Sequence, residues 1–121
     1  MKPLRVLLVE DEACISELFA EVLAGMGHEV CGIEATEASA IAATSRCKPD
    51  MIIVDVRLGA GSGEQAMADI LRSGFVPHVF VSGDAAKVET LQLSGIALQK
   101  PFYVTDLIRA MRRALGETAS A

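Results

Sequence analysis

Hydrophobic positions alternate along this chain between short continuous runs and runs spaced three and four apart. Leu4 to Val9 is a compact apolar run, as a buried strand requires. Ile15, Leu18, Phe19, Val22, Leu23 and Met26 then recur at helical spacing, and Gly25 and Gly27 stop that helix. Glu29 to Ile33 is half polar, as an edge strand would be. Glu37 to Arg46 reads as a weaker helix with Ala38, Ile41 and Ala42 on one side. Met51 to Asp55 is a third strand, and Met67, Ile70 and Leu71 mark a third helix. Val79 to Ser82 and Ile96 to Gln99 are two more strands, separated by a short helix over Ala86 to Ser94. Leu107, Ile108, Met111 and Leu115 mark a final helix. The tail from Gly116 to Ala121 is small and polar, and is expected to fray.

Five strand–helix alternations imply an α/β fold: a parallel sheet covered by helices on both faces. In open sheets of this kind ligands bind beyond the carboxyl ends of the strands. Glu10, Asp11, Asp55, Ser82 and Lys100 all stand at such ends. Three carboxylates in one pocket repel one another, and a hard dication such as Mg2+ would relieve that repulsion through oxygen ligands. A carboxylate can itself be a nucleophile that forms an aspartyl phosphate. Lys100 and the Ser82 hydroxyl could then meet the phosphoryl oxygens, with charge neutralisation as the protein's main task.

Composition narrows the picture. The 121 residues fit one domain, with a core over 4–115, and 51% of them are hydrophobic. There is no Trp and only five Phe and Tyr, so the core is expected to be aliphatic. A net charge of −5 argues against direct nucleic-acid binding. Arg109, Arg112 and Arg113 cluster at helical spacing and read as a solvated face. Cys14, Cys31 and Cys47 have no CxxC spacing and read as reduced, partly buried thiols. No apolar stretch approaches the ~18 residues of a membrane span, and the chain enters its first strand without a signal-like segment. A cytoplasmic protein with no membrane contact is the expectation.

At this point the chain resembles the receiver domain of bacterial two-component response regulators. The resemblance rests on Val-Leu-Leu-Val-Glu-Asp-Glu at 6–12, Ile-Val-Asp-Val-Arg-Leu at 53–58, Gly63, Val-Ser-Gly at 81–83 and Lys-Pro-Phe at 100–102. It implies a flavodoxin-like five-stranded parallel sheet of order 2-1-3-4-5, for which a family member serves as a standard example. It implies that Asp55 accepts a phosphoryl group from a phosphohistidine on a histidine kinase or phosphotransfer protein. Glu10, Asp11, Asp55 and the Arg57 carbonyl would hold Mg2+, Lys100 would contact the phosphoryl group, and Ser82 would occupy the switch position. The Lys100–Pro101 bond would be cis. The domain would catalyse only its own phosphorylation and dephosphorylation, act as a monomer or weak homodimer, and signal to a downstream protein. With only a short tail after the last helix, a stand-alone domain is expected.

Two departures bear on mechanism. Gly59 replaces the proline that often follows Leu58, so the loop Gly59-Ala60-Gly61-Ser62-Gly63 is expected to be an unusually mobile hinge. It lacks the spacing and lysine of a phosphate-binding loop. Ala97 stands where the family usually carries an aromatic switch residue, so the output is expected to work without one. Arg57 and Asp84 would flank the phosphoryl group, face each other across the site mouth and restrict attacking water. A phosphate sink or phosphotransfer intermediate is the alternative reading. A haloacid dehalogenase-type phosphohydrolase would need an Asp where Arg57 stands, and a degenerate, phosphate-blind receiver would not need the intact acid–Asp–Ser–Lys set. Glu12 is expected at the start of the first helix, His28 and His78 at the surface or a strand edge, Phe102 in the core and Tyr103 in solvent.

Overall fold

The computed structural model describes residues 1–117. Its elements run β1 (Arg5–Val9), α1 (Ala13–Gly25), β2 (Glu29–Glu34), α2 (Glu37–Cys47), β3 (Met51–Asp55), β4 (Arg57–Leu58), β5 (Gly61–Ser62), α3 (Gly63–Leu71), β6 (His78–Ser82), α4 (Ala85–Gln92), β7 (Ala97–Gln99) and α5 (Val104–Ala114). Five strands form one parallel sheet of order β2-β1-β3-β6-β7. With β4 and β5 set aside as a separate hairpin, this is the expected order. Five helices flank the sheet.

The apolar runs fill the middle of the sheet because a strand covered on both faces has no polar side to spare. Every residue of β3 is buried, and β1 is buried beyond Arg5. Leu8, Met51, Ile53 and Val79 pack with Leu23 of α1 and Leu107 and Met111 of α5 on one face. Leu7, Ile52 and Val54 pack with Ala40 and Ala43 of α2 and Met67 and Ile70 of α3 on the other. Burying each such aliphatic side chain is worth roughly 1.5–3 kcal/mol, so the central strands hold their register firmly. Between β2 and β1 the fit is close: a Cβ on Gly32 would lie 3.1 Å from Leu7 Cδ1.

Local signals set the helix ends. The Thr36 and Ser39 side chains cap α2 reciprocally, Ser62 caps α3 through the Gln65 N–H, and Asp84 caps α4 through the Ala86 and Lys87 N–H groups. At the far end of α5, Gly116 at φ +83° and Glu117 donate back to Arg113 and Arg112. Those two residues thus close the helix rather than fray. The remainder of the expected tail, 118–121, lies outside the described residues.

The structure corrects three sequence readings. The 57–62 stretch is not an open hinge. Arg57 pairs with Ser62 and Leu58 with Gly61 in a small antiparallel hairpin, and Gly59 supplies its left-handed turn at φ +57°. His28 is buried, and its Nδ1 accepts the Leu4 N–H at 3.0 Å. Cys14 is exposed, whereas Cys47 is buried and Cys31 half-buried. Among the described residues, no helix is long and apolar enough to cross a membrane.

Candidate functional site

Strand register builds the site. Val9 pairs with Val54, which carries Glu10 to the side of Asp55. Asp55 pairs with Val81, and Ser82 with Gln99, so Ser82 and Lys100 complete one row across the C-terminal edge. Lys100 N–H donates to the Ser82 carbonyl at 2.9 Å, and the Lys100–Pro101 bond is cis as expected.

The acids meet one ammonium group. Lys100 Nζ donates to Asp55 Oδ2 at 2.5 Å and to Glu10 Oε2 at 3.3 Å. The other Asp55 oxygen, Oδ1, accepts the Arg57 N–H at 3.0 Å. Asp55 therefore also caps the following turn, and each of its oxygens has a fixed donor. Glu10 and Asp55 are buried, with relative exposures of 8% and 9%.

Crowding drives the two carboxylates apart in acidity. Burial, and then the Asp55 carboxylate beside it, push Glu10 up from 4.5 to about 7. Burial also works to raise Asp55, but hydrogen bonds from Glu10, Lys100 and the Arg57 amide outweigh it and hold Asp55 below 3.8. Burial works to lower Lys100, and its two acidic neighbours outweigh that and hold it above 10.5. The cluster thus keeps Asp55 ionised and lets Glu10 hold a proton near neutral pH.

Two cavities open on Asp55. One of about 540 Å³ is lined by Asp11, Glu12, Asp55, Arg57, Gly59 and Lys100, among others. The other, of about 550 Å³, is lined by Asp55, Arg57, Ser82, Asp84 and Lys87 with their neighbours. Asp11 is exposed and faces the first. The donors there, Asp11, Asp55 and the neighbouring Glu10, are all hard oxygens, the chemistry that suits Mg2+. Among the described residues no three His, Cys, Asp or Glu side chains already stand as a closed metal-ligand group, and Lys100 lies between two of the acids.

The remaining expected residues fall as follows. Ser82 is buried, and its Oγ accepts the Asp84 N–H at 3.1 Å. Arg57 and Asp84 line one cavity, but the Asp84 carboxylate is engaged in capping α4. Ala97 is buried on β7 opposite Phe80. Glu12 is the exposed N-cap residue of α1. Phe102 packs on Phe19 with ring centroids 5.6 Å apart, and Tyr103 is 81% exposed.

Several contributors have packing roles that no local sequence pattern specifies. Gly63 approaches β3 so closely that a Cβ there would overlap the Asp55 carbonyl oxygen. Glu37 of α2 accepts the Ser62 N–H at 2.7 Å and fills the space beside Gly61, so it pins the hairpin that follows Asp55. Lys87, which lines the second cavity, pairs with Glu64 at 2.7 Å. The Glu37 and Glu64 contacts link residues more than 20 positions apart, which no local spacing rule reports.

The family that matches residues 6–112 is described as the response regulator receiver domain. The chain belongs to that family. As a receiver domain it is similar to the transcriptional regulatory protein PdtaR of Mycobacterium tuberculosis, 33% identical over 118 residues that cover 94% of this chain and 58% of that protein. It is also similar to the phyllosphere-induced regulator PhyR of Methylorubrum extorquens, 30% identical over 96% of this chain and 45% of that protein. The chain spans about half the length of these curated relatives. Among solved structures, the receiver domain of Erythrobacter litoralis PhyR superposes with a TM-score of 0.84 at 29% identity, covering 100% of this chain and 96% of that one. The anti-anti-sigma factor PhyR of Bartonella quintana gives 0.83 at 28% identity, over 96% of this chain and 49% of that one. Two-component signalling is the setting of this receiver domain.

Proposed function

We propose that Asp55 accepts a phosphoryl group from a phosphohistidine of a histidine kinase or phosphotransfer protein, and that the phosphorylated domain changes its affinity for a downstream protein in the cytoplasm. The observation that carries this reading is the Asp55–Lys100 contact at 2.5 Å, set between two cavities that leave the acceptor open to a donor. Among aspartates at strand ends, one kept ionised and buried beside a lysine is suited to attack phosphorus.

An Asp55 oxygen forms the new P–O bond while the P–N bond of the donor histidine breaks, and the leaving imidazole takes up a proton. Lys100 offsets charge on the phosphoryl oxygens, and the Arg57 amide keeps the carboxylate oriented. Ser82 stands at the same cavity with its hydroxyl available to a phosphoryl oxygen. Asp11, Glu10, Asp55 and the Arg57 carbonyl are the groups that would hold Mg2+. When bound, the ion supplies positive charge to the acids and the transferred group. The domain's chemistry is confined to gain and loss of its own phosphoryl group.

Incubation with acetyl phosphate and Mg2+, followed by intact-mass measurement, tests this reading. Wild type should gain the mass of one phosphoryl group and Asp55→Asn should gain none. A wild type that stays unmodified, or an Asp55→Asn variant that is modified equally, contradicts it.

A second reading, a phosphate sink or transfer intermediate, is favoured by one feature. Ala97 is buried and has no side-chain torsion with which to swing outward. Amide chemical shifts along α4, β7 and α5 separate the two. A switch moves them on phosphorylation, whereas a sink confines the change to the loops beside Asp55.

A further inference from the structure

The cavity beside Asp55 contains a cation that none of the roles above employs. Lys87 lies in the first turn of α4 and lines the same 550 Å³ cavity as Asp55 and Ser82. Its Nζ is held at 2.7 Å by Glu64, which lies in the first turn of α3. The two side chains are 37% and 38% exposed. The pair therefore bridges the starts of α3 and α4.

We infer that Lys87 is a further phosphoryl-binding residue of this site, released from Glu64 when Asp55 is phosphorylated. The inference rests on the reading of Asp55 as acceptor. A surface pair this exposed is weak, because solvent screens it and holding two long side chains costs entropy. A phosphoryl group brings about −1.5 to −2 charges and three strong acceptor oxygens, and charge-assisted hydrogen bonds to it are about twice as strong as neutral ones. The exchange therefore runs from the weaker partner to the stronger. Lys100 already divides itself between two carboxylates, so a second cation meets the added charge. The move would draw the start of α4 toward Asp55 and uncouple it from α3, an output route that needs no aromatic at position 97.

The test uses the fluoroberyllate anion with Mg2+, a persistent tetrahedral stand-in for the phosphoryl group, with affinity read by calorimetry or fluorine NMR. Lys87→Gln should weaken binding about tenfold, the loss of one charge-assisted hydrogen bond. Glu64→Gln removes the competitor and should strengthen binding up to about fivefold. Opposite signs are the signature of exchange, because an ion pair that merely braces the fold would give losses of the same sign from either side. Thermal unfolding of both variants checks that they are folded. Equal affinities in wild type and Lys87→Gln, or weakening by both substitutions, overturn the inference and leave the Asp55 reading intact. If wild type takes up neither fluoroberyllate nor a phosphoryl group from acetyl phosphate, the Asp55 reading itself fails.

Discussion

The two ends of the central sheet hold the same kinds of polar groups and use them in opposite ways. At the amino ends the partners are matched. Arg5 donates to Glu29 at 2.9 Å and to the Cys47 carbonyl at 3.0 and 3.3 Å, Asp50 accepts the Arg5 N–H at 2.8 Å, and His28 accepts the Leu4 N–H. At the carboxyl ends one ammonium group serves two buried acids, and a third acid faces the adjoining cavity. Ions alone do not mark a site. An excess of one sign next to open space does, because such an end has unmet demand for a cation or a reaction. The amino end stabilises the sheet, and the carboxyl end is where the proposed phosphoryl chemistry would take place.

The most severe way to break this contrast is Lys100→Met, which leaves Asp55 and Glu10 with no cation between them. Phosphorylation by acetyl phosphate should slow at least about 100-fold, the usual cost of losing a preorganised electrostatic group. A time course of intact mass measures this, and a rate near wild type would show that the lysine is dispensable. Gly63→Ala comes next. Its Cβ would overlap the Asp55 carbonyl, and the repacking should cost about 3 kcal/mol in urea unfolding. Glu37→Ala removes the acceptor that pins the hairpin and should cost about 1.5 kcal/mol. Glu37→Gln retains an acceptor oxygen and should recover most of that loss.

The finest prediction sets the two ends against each other by pH, in metal-free buffer. Glu10 is raised from 4.5 to about 7, so its contribution to stability is complete below 4.5 and is lost as pH rises through 7. His28 is lowered from 6.5, first by burial and then by the nearby amino terminus. Its contribution is complete above 6.5 and is lost as pH falls through its folded-state value. Chemical denaturation across pH should show Glu10→Gln flattening the alkaline decline and His28→Asn flattening the acid one. A decline unchanged by either substitution would sever that end from its assigned group.

How much of this was legible in the sequence follows from the range of each interaction. The apolar runs of β1, β3 and β6 reveal a buried parallel sheet because burial leaves a continuous pattern. The row Glu10, Asp55, Ser82 and Lys100 was visible because each residue ends a strand, and parallel register aligns strand ends. The resemblance to receivers supplied the strand order that brings β1 beside β3. The 57–62 hairpin was missed because its glycines read as freedom, whereas Glu37, 25 residues from Ser62, restrains them. His28 reads as a surface or strand-edge group, and its burial escapes the sequence because nothing local announces the distant Leu4 amide it caps. Lys87 sits three residues after Asp84, and no spacing in the sequence singles it out. Only the folded chain places it in the cavity with Asp55.

Site mapping tests the central claim most directly. After incubation with acetyl phosphate and Mg2+, borohydride reduces an aspartyl phosphate to homoserine, and peptide mass spectrometry locates the converted residue. The account predicts homoserine at position 55 and nowhere else. Conversion at Asp11 or another carboxylate, with Asp55 intact, would contradict it.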